Sequence, residues 1–270
     1  DFTQKKADRS YFEIASNQIP ATIEKILDAA IRSGIPARDI QVLAPMYRGA
    51  AGIDAINQLM QELLNPLQKG QISFEASQFQ YRSGDKVIHL VNDAEVNVFN
   101  GDLGYITDLI PGRYTESKQD EMVIDFDGNE VIYPRNEWYK IRLAYAMSIH
   151  KSQGSEFPVV FLPITSASKR MLERNLIYTA ITRAKSKLIL LGELQAFDYA
   201  TKHIGTARKT YLIERFSDLT ESSEELNEPI LEPTNQINPH QSYRLTEDNW
   251  TSIPAMIGIS QDDLDEFFGK

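Results

Sequence analysis

The 270 residues are 42% hydrophobic, enough for one large or two smaller cores, and contain no cysteine, which excludes disulfides, thiolate catalysis and cysteine-held zinc. The formal net charge of −10 sits in residues 217–270, with twelve acidic and two basic side chains, whereas residues 1–216 hold 26 of each sign and leave room for a basic groove. No run approaches the ~20 apolar residues of a membrane span, and the polar opening "DFTQKKADRS", without an initiator Met, predicts part of a longer cytoplasmic protein with no signal peptide.

In chain order, "ATIEKILDAAIRSG" places Ile23, Ile26, Leu27 and Ala30 at helical spacing and stops at Gly34. "IQVLAPM" has the short, continuous apolar run of a buried parallel strand. "GIDAINQLMQELLNP" is a second amphipathic helix, ended by Asn65 and Pro66, and "GDKVIHLVN" reads as a strand. From about Val96 the style changes to short β-rich segments, and Asp127-Gly128 between "MVIDF" and "EVIYP" signals a hairpin. After Trp138 an α/β pattern resumes, with strands over 143–147 and 159–163 and a helix over about 169–185. A strand "KLILLG" and a helix over 194–204 follow. Strands alternating with helices predict a doubly wound, mainly parallel sheet, and the β-rich stretch predicts a small barrel inserted into it. The boundaries expected are an α/β part over 1–94, the barrel over 95–139, a second α/β part over 140–216, and an acidic linker and tail over 217–270. The last segment, "LTEDNWTSIPAMIGISQDDLDEFF", mixes apolar anchors with acids that suit docking on the body or on a protein partner.

The chain holds no G-x-x-x-x-G-K-[ST] phosphate loop. "MVIDFDG" looks like a nucleotide-site strand ending in carboxylates, but the return strand after Asp-Gly makes it a hairpin, and its acids lack calcium-loop spacing. The four histidines show no paired metal spacing, and no local nucleophile signature is present. "SIHKSQGSEFPVVFLPI" (148–164) sets His150, Lys151, Gln153 and Glu156 at the exit of a core strand, where binding sites often lie; an ordinary polar connection explains it as well. In "ERNLIYTAITRAKSKLILLGE", Leu172, Leu176, Ala180 and Ala184 form an apolar helical stripe, with Thr179, Thr182 and Arg183 on a neighbouring edge. An arginine late in a helix is also accounted for by the helix dipole.

Taken together and in order, "AYAMSIHKSQGSEF" and "LIYTAITRAK" resemble motifs V and VI of superfamily-one helicases. "IQVLAPMYRGAAGIDAINQLMQELLNP" resembles motif IV of the RecD-like branch, and "YRSGDKVIHLVND…VFNGDLGYI" the lead into that branch's inserted barrel of Src-homology-3 type. "LTEDNWTSIPAMIGIS" is similar to the end of stand-alone bacterial RecD-like helicases. The resemblance implies a RecA-like second motor domain of an ATP-dependent 5′-to-3′ DNA helicase, of the kind used in DNA repair and recombination. ATP with Mg²⁺ would be bound mainly by the N-terminal motor domain of the same protein, and these 270 residues would be inactive alone. The resemblance sets Arg183 as the arginine finger, and Glu156 near the nucleotide sugar. Ser148, His150 and Lys151 fall on the single-stranded DNA track, with Gln153 and Gly154 coupling the two faces. Arg48, also expected on the nucleotide side with Glu156, Gln153 and Gly154, falls by the motif IV arginine, which many relatives carry one position earlier, where this chain has Tyr47. Two other readings remain: a non-catalytic nucleic-acid or partner-binding module, and the helicase part of a conjugative relaxase or of a nuclease complex.

Overall fold

The computed structural model of the protein describes residues 8–205. The acidic linker and tail expected over 217–270 lie outside the described residues.

The elements run β1 (Arg9–Glu13), α1 (Ile19–Arg32), β2 (Ile40–Ala44), α2 (Ile53–Leu64), β3 (Ser73–Ala76), β4 (Phe79–Arg82) and β5 (Lys86–His89). There follow β6 (Leu103–Ile110), β7 (Glu121–Phe126), β8 (Asn129–Pro134), β9 (Ile141–Leu143), β10 (Ala146–Ser148), β11 (Phe157–Ile164), α3 (Arg174–Ile181), β12 (Ala184–Gly192) and α4 (Leu194–Lys202). Five strands form one parallel sheet in the order β1-β12-β11-β2-β10. Because side chains alternate across a strand, Val42, Val159 and Phe161 face α1 and α2, while Leu43, Val160 and Leu162 face α3 and α4. Both faces are covered, which is why β2 is buried at all five positions. The doubly wound sheet expected from the alternating pattern is what the chain forms.

Helix α1 buries Ile19, Ile23, Leu27 and Ala30, a stripe at four- and three-residue steps. It starts with a proline in its first turn and gives way to Gly34 at φ 88°, a left-handed conformation that glycine adopts without a side-chain clash. The expected hairpin is also present: β7 and β8 pair through Asp127 (φ 55°) and Gly128 (φ 92°). Gly128 N donates to Asp125 Oδ1 at 2.7 Å.

Three sequence expectations need correction. The β insert is wider than 95–139, because its antiparallel sheet has the order β8-β7-β6-β5-β9 and so draws in 86–89 and 141–143. Val87, Ile106, Met122 and Ile141 pack in the same apolar cluster as α1 and α2, so the insert shares a core with the α/β part. The single strand expected over 143–147 is two: Leu143 pairs antiparallel with Val87, whereas Ala146 pairs parallel with Val42. The chain therefore changes sheets across Ala144 and Tyr145. The helix expected over 169–185 is a 3-10 turn (Ser166–Met171) followed by α3, and Ala184 of the apolar stripe already belongs to β12.

A buried polar knot holds this junction. Asp85, fully buried, accepts from Gln61 Nε2 (2.6 Å), Asn65 Nδ2 (2.8 Å), Arg82 N (2.8 Å) and Tyr145 OH (3.0 Å). Burial raises the carboxyl's pKa, opposed by those four bonds. Since all four partners donate, no lone pair is left for a proton, and Asp85 sits as a carboxylate at neutral pH. One side chain thereby ties α2, the β4–β5 turn and the crossover between sheets.

Lys86 is also buried; its Nζ donates to Arg38 O at 3.3 Å and stands 5.7 Å over the Phe157 ring. Burial lowers its pKa from 10.5 to about 8, with Asp39 opposing. The folded protein therefore gives up this proton before the unfolded chain does. Stability rises with pH between about 8 and 10.5, and below about 8 the cost of the buried charge is carried in full. Lys86→Met is expected to stabilise the protein at pH 7 by roughly 1–3 kcal/mol, as removal of a buried, weakly paired charge does. The rise above pH 8 should vanish with it. Urea unfolding of both proteins from pH 6 to 10 checks this; parallel curves would show that Lys86 is not charged at a cost.

Candidate functional site

In a parallel sheet every strand points the same way, so the segments leaving and entering the strands collect at two opposite edges. At the carboxyl edge lie Tyr47 and Arg48 after β2, and the 3-10 turn Ile149–Ser152 after β10. At the amino edge lie Ser155 and Glu156 before β11, and Thr182 and Arg183 before β12. Phe161 is level with Val42 and Val42 with Ala146, so Ser148 and Phe157 stand about 20 Å apart along the strands at ~3.3 Å per residue. The segment 148–156 thus runs the height of the sheet.

At its upper end Ser148 is the N-cap of the turn, its Oγ accepting from Lys151 N at 3.3 Å, and it is nearly buried. His150 is exposed and Lys151 half-buried. Lys151 Nζ donates to Asn100 Oδ1 at 2.9 Å. Burial, with the charge of Arg142 added, holds the Lys151 ammonium below the usual lysine range. Arg142 ion-pairs with Asp54 at 3.1 Å and lies 5.0 Å from the Tyr47 ring and 5.6 Å from that of Phe79. Gln153 and Gly154 are exposed, and Gly154 turns the chain with φ 86°.

At the lower end, the Arg183 guanidinium is half-buried and fixed from three sides. Nε donates to Thr179 O (3.2 Å), one terminal nitrogen to Ser155 O (3.0 Å) and the other to Thr182 Oγ1 (3.1 Å). Phe157 N in turn donates to Arg183 O at 2.8 Å. Three of five guanidinium N–H groups are used, which leaves two for an outside acceptor. The bond to Thr179 O is also the helix-end interaction that the dipole favours, so capping and presentation of the group coexist. Glu156 pairs with Lys185 at 3.4 Å, but both side chains are more than half exposed, so the pair is weak and the carboxylate stays open to a ligand.

Of the residues singled out by sequence, the structure brings Ser148, His150 and Lys151 together at one edge, and Glu156 and Arg183 at the other. Arg48 does not join Arg183; it is exposed at the carboxyl edge. Sequence reasoning missed Asn100, Arg142 and the Ser155 carbonyl. Asn100-Gly101 is a turn signal, yet nothing along the chain places it against Lys151, 51 positions away.

Residues 143–191 match the UvrD-like helicase C-terminal domain, and residues 56–126 match the SH3 domain of ATP-dependent RecD-like DNA helicases. The chain is also similar to curated proteins of the RecD type. The chain is 36% identical over 176 residues to the ATP-dependent RecD2 DNA helicase of Deinococcus radiodurans, covering 65% of this chain and 23% of that protein. It is 30% identical over 152 residues to the RecBCD enzyme subunit RecD of Mycolicibacterium smegmatis, covering 56% of this chain and 25% of that subunit. The chain spans about a quarter of the length of these relatives. The crystal structure of the Pif1 helicase from Candida albicans is 20% identical, with a TM-score of 0.39 over 78% of this chain and 60% of that one. Among the described residues no helix is long and apolar enough to cross a membrane.

Proposed function

We propose that the chain is the second motor domain of an ATP-driven 5′-to-3′ DNA helicase, working against a first motor domain of the same protein that binds ATP and Mg²⁺. Arg183 serves as the arginine finger, its two remaining N–H groups meeting charge that develops on the terminal phosphate. Glu156 reaches the nucleotide sugar from the same edge. His150 and Lys151 meet the backbone of single-stranded DNA, with Ser148 shaping their turn, and Gln153 and Gly154 carry movement between the two ends. Arg48, exposed at the carboxyl edge, serves the strand in this reading rather than the nucleotide. Bound ATP supplies the transferable phosphoryl group and the closing force; this domain supplies positive charge and a strand contact.

The observation that carries the reading is the continuity of 148–156, with Lys151 near one end and the Ser155 carbonyl, bonded to Arg183, near the other. An element that touches both sites is what a motor needs if phosphate chemistry is to move a strand.

Lys151→Ala in the complete protein tests the strand contact. Affinity for a labelled oligothymidylate is expected to fall, and the slope of log affinity against log salt to shrink by about 0.7, the worth of one single-strand phosphate contact. Fluorescence anisotropy from 50 to 300 mM salt reads both; an unchanged slope removes Lys151 from the track.

A further inference from the structure

The loop between β5 and β6, residues 90–102, belongs to the inserted sheet and is clamped along its length. Asp93 and Val98 exchange both backbone bonds, at 2.8 and 3.0 Å, and Val98 is fully buried. Lys140 Nζ donates to Asp93 Oδ2 at 2.8 Å, and Asn129 Nδ2 to Val96 O at 2.9 Å. At the loop's end, Asn100 N donates to Asn92 Oδ1 (3.0 Å) and Phe99 N to Asp102 Oδ2 (2.7 Å). Asn100 is therefore held by its backbone while its side chain stays exposed. Its Oδ1 accepts from Lys151.

The chemistry of that contact is selective. Lysine carries about 2 kcal/mol of rotamer entropy, so a fixed acceptor that holds its ammonium removes part of the ordering cost of binding. A carboxylate would do so too, but would cancel the charge; an amide oxygen does not. Among the described residues Lys151 forms no ion pair, whereas Arg142 beside it is committed to Asp54. An ammonium bonded once to Asn100 keeps two N–H groups for a phosphate.

We propose that Asn100 is the positioning residue for the strand-binding Lys151, so that the inserted β sheet sets the motor's grip on single strands through a neutral hydrogen bond. The inference rests on the reading that Lys151 meets a nucleic-acid backbone. Asn100→Ala, Asn100→Asp, Lys151→Ala and the Asn100→Asp/Lys151→Ala double variant of the complete protein are compared by anisotropy on labelled oligothymidylate over a salt series. Asn100→Ala is expected to weaken binding about 2- to 10-fold at fixed salt with the slope kept, since the charge remains but is no longer held. Asn100→Asp should lower the slope by about 0.7, as Lys151→Ala does. The double variant should lose no more slope than Lys151→Ala alone. If Lys151→Ala weakens binding while both Asn100 variants bind as the parent does, the positioning role is refuted and the strand contact stands. If Lys151→Ala itself leaves affinity and slope unchanged, the strand contact fails and the proposal falls with it.

Discussion

Replacing Arg183 by alanine in the complete protein is expected to cut strand-stimulated ATP turnover by about 10³-fold or more, the usual worth of an arginine finger. Nucleotide affinity should change far less, because the group acts on charge that develops as the phosphoryl group leaves. Arg183→Lys should recover little. An ammonium cannot hold the Thr179 and Ser155 carbonyls in the same plane and still present two N–H groups outward. Single-turnover hydrolysis set beside nucleotide binding for each variant decides the matter. Equal losses in the two, or near-normal turnover, would leave Arg183 as the cap of α3 and nothing more.

The second large effect concerns stability. Asp85→Ala is expected to cost about 3–5 kcal/mol, because it takes the acceptor from four donors at once, three of them buried, and leaves a void between two sheets. Tyr145→Phe, which removes one of the four, should cost only about 1 kcal/mol. Burial and the adjacent Asp85 charge push the Tyr145 hydroxyl's pKa upward, so it is a neutral donor throughout the working pH range. Urea unfolding followed by circular dichroism measures both; an Asp85→Ala midpoint near the parent's would mean that the knot is not what joins the sheets.

How much of this was legible along the chain depended on how local the governing physics is. The Asp127-Gly128 hairpin and the stripe of α1 were legible because turn chemistry and helical periodicity are local properties. The strand over 143–147 was misread because Ala144 and Tyr145, where the chain changes sheets, are as buried as the strands they join. A run of buried apolar residues reports burial and not which sheet is paired. The insert's limits failed likewise: "GDKVIHLVN" is a strand, as expected, but its partners β6 and β9 lie 13 or more residues further on. At the site, motif resemblance named the segments that carry Lys151 and Arg183. Asn100, Arg142 and the Ser155 carbonyl entered only through contacts that tertiary structure makes.

Asn57 sits on the outer side of β10, the last strand of the parallel sheet: its Nδ2 donates to Ala146 O at 2.9 Å, and Ala146 N donates to its Oδ1 at 2.8 Å. One amide thereby imitates the next strand. Exposed strand edges are where proteins stick to one another, and most sheets guard them with charges, bulges or covering helices. Here the guard is a single side chain on α2, placed where β10 is only three residues long. The sheet can therefore end abruptly at the point where a second sheet is spliced in, without offering a foothold for self-association.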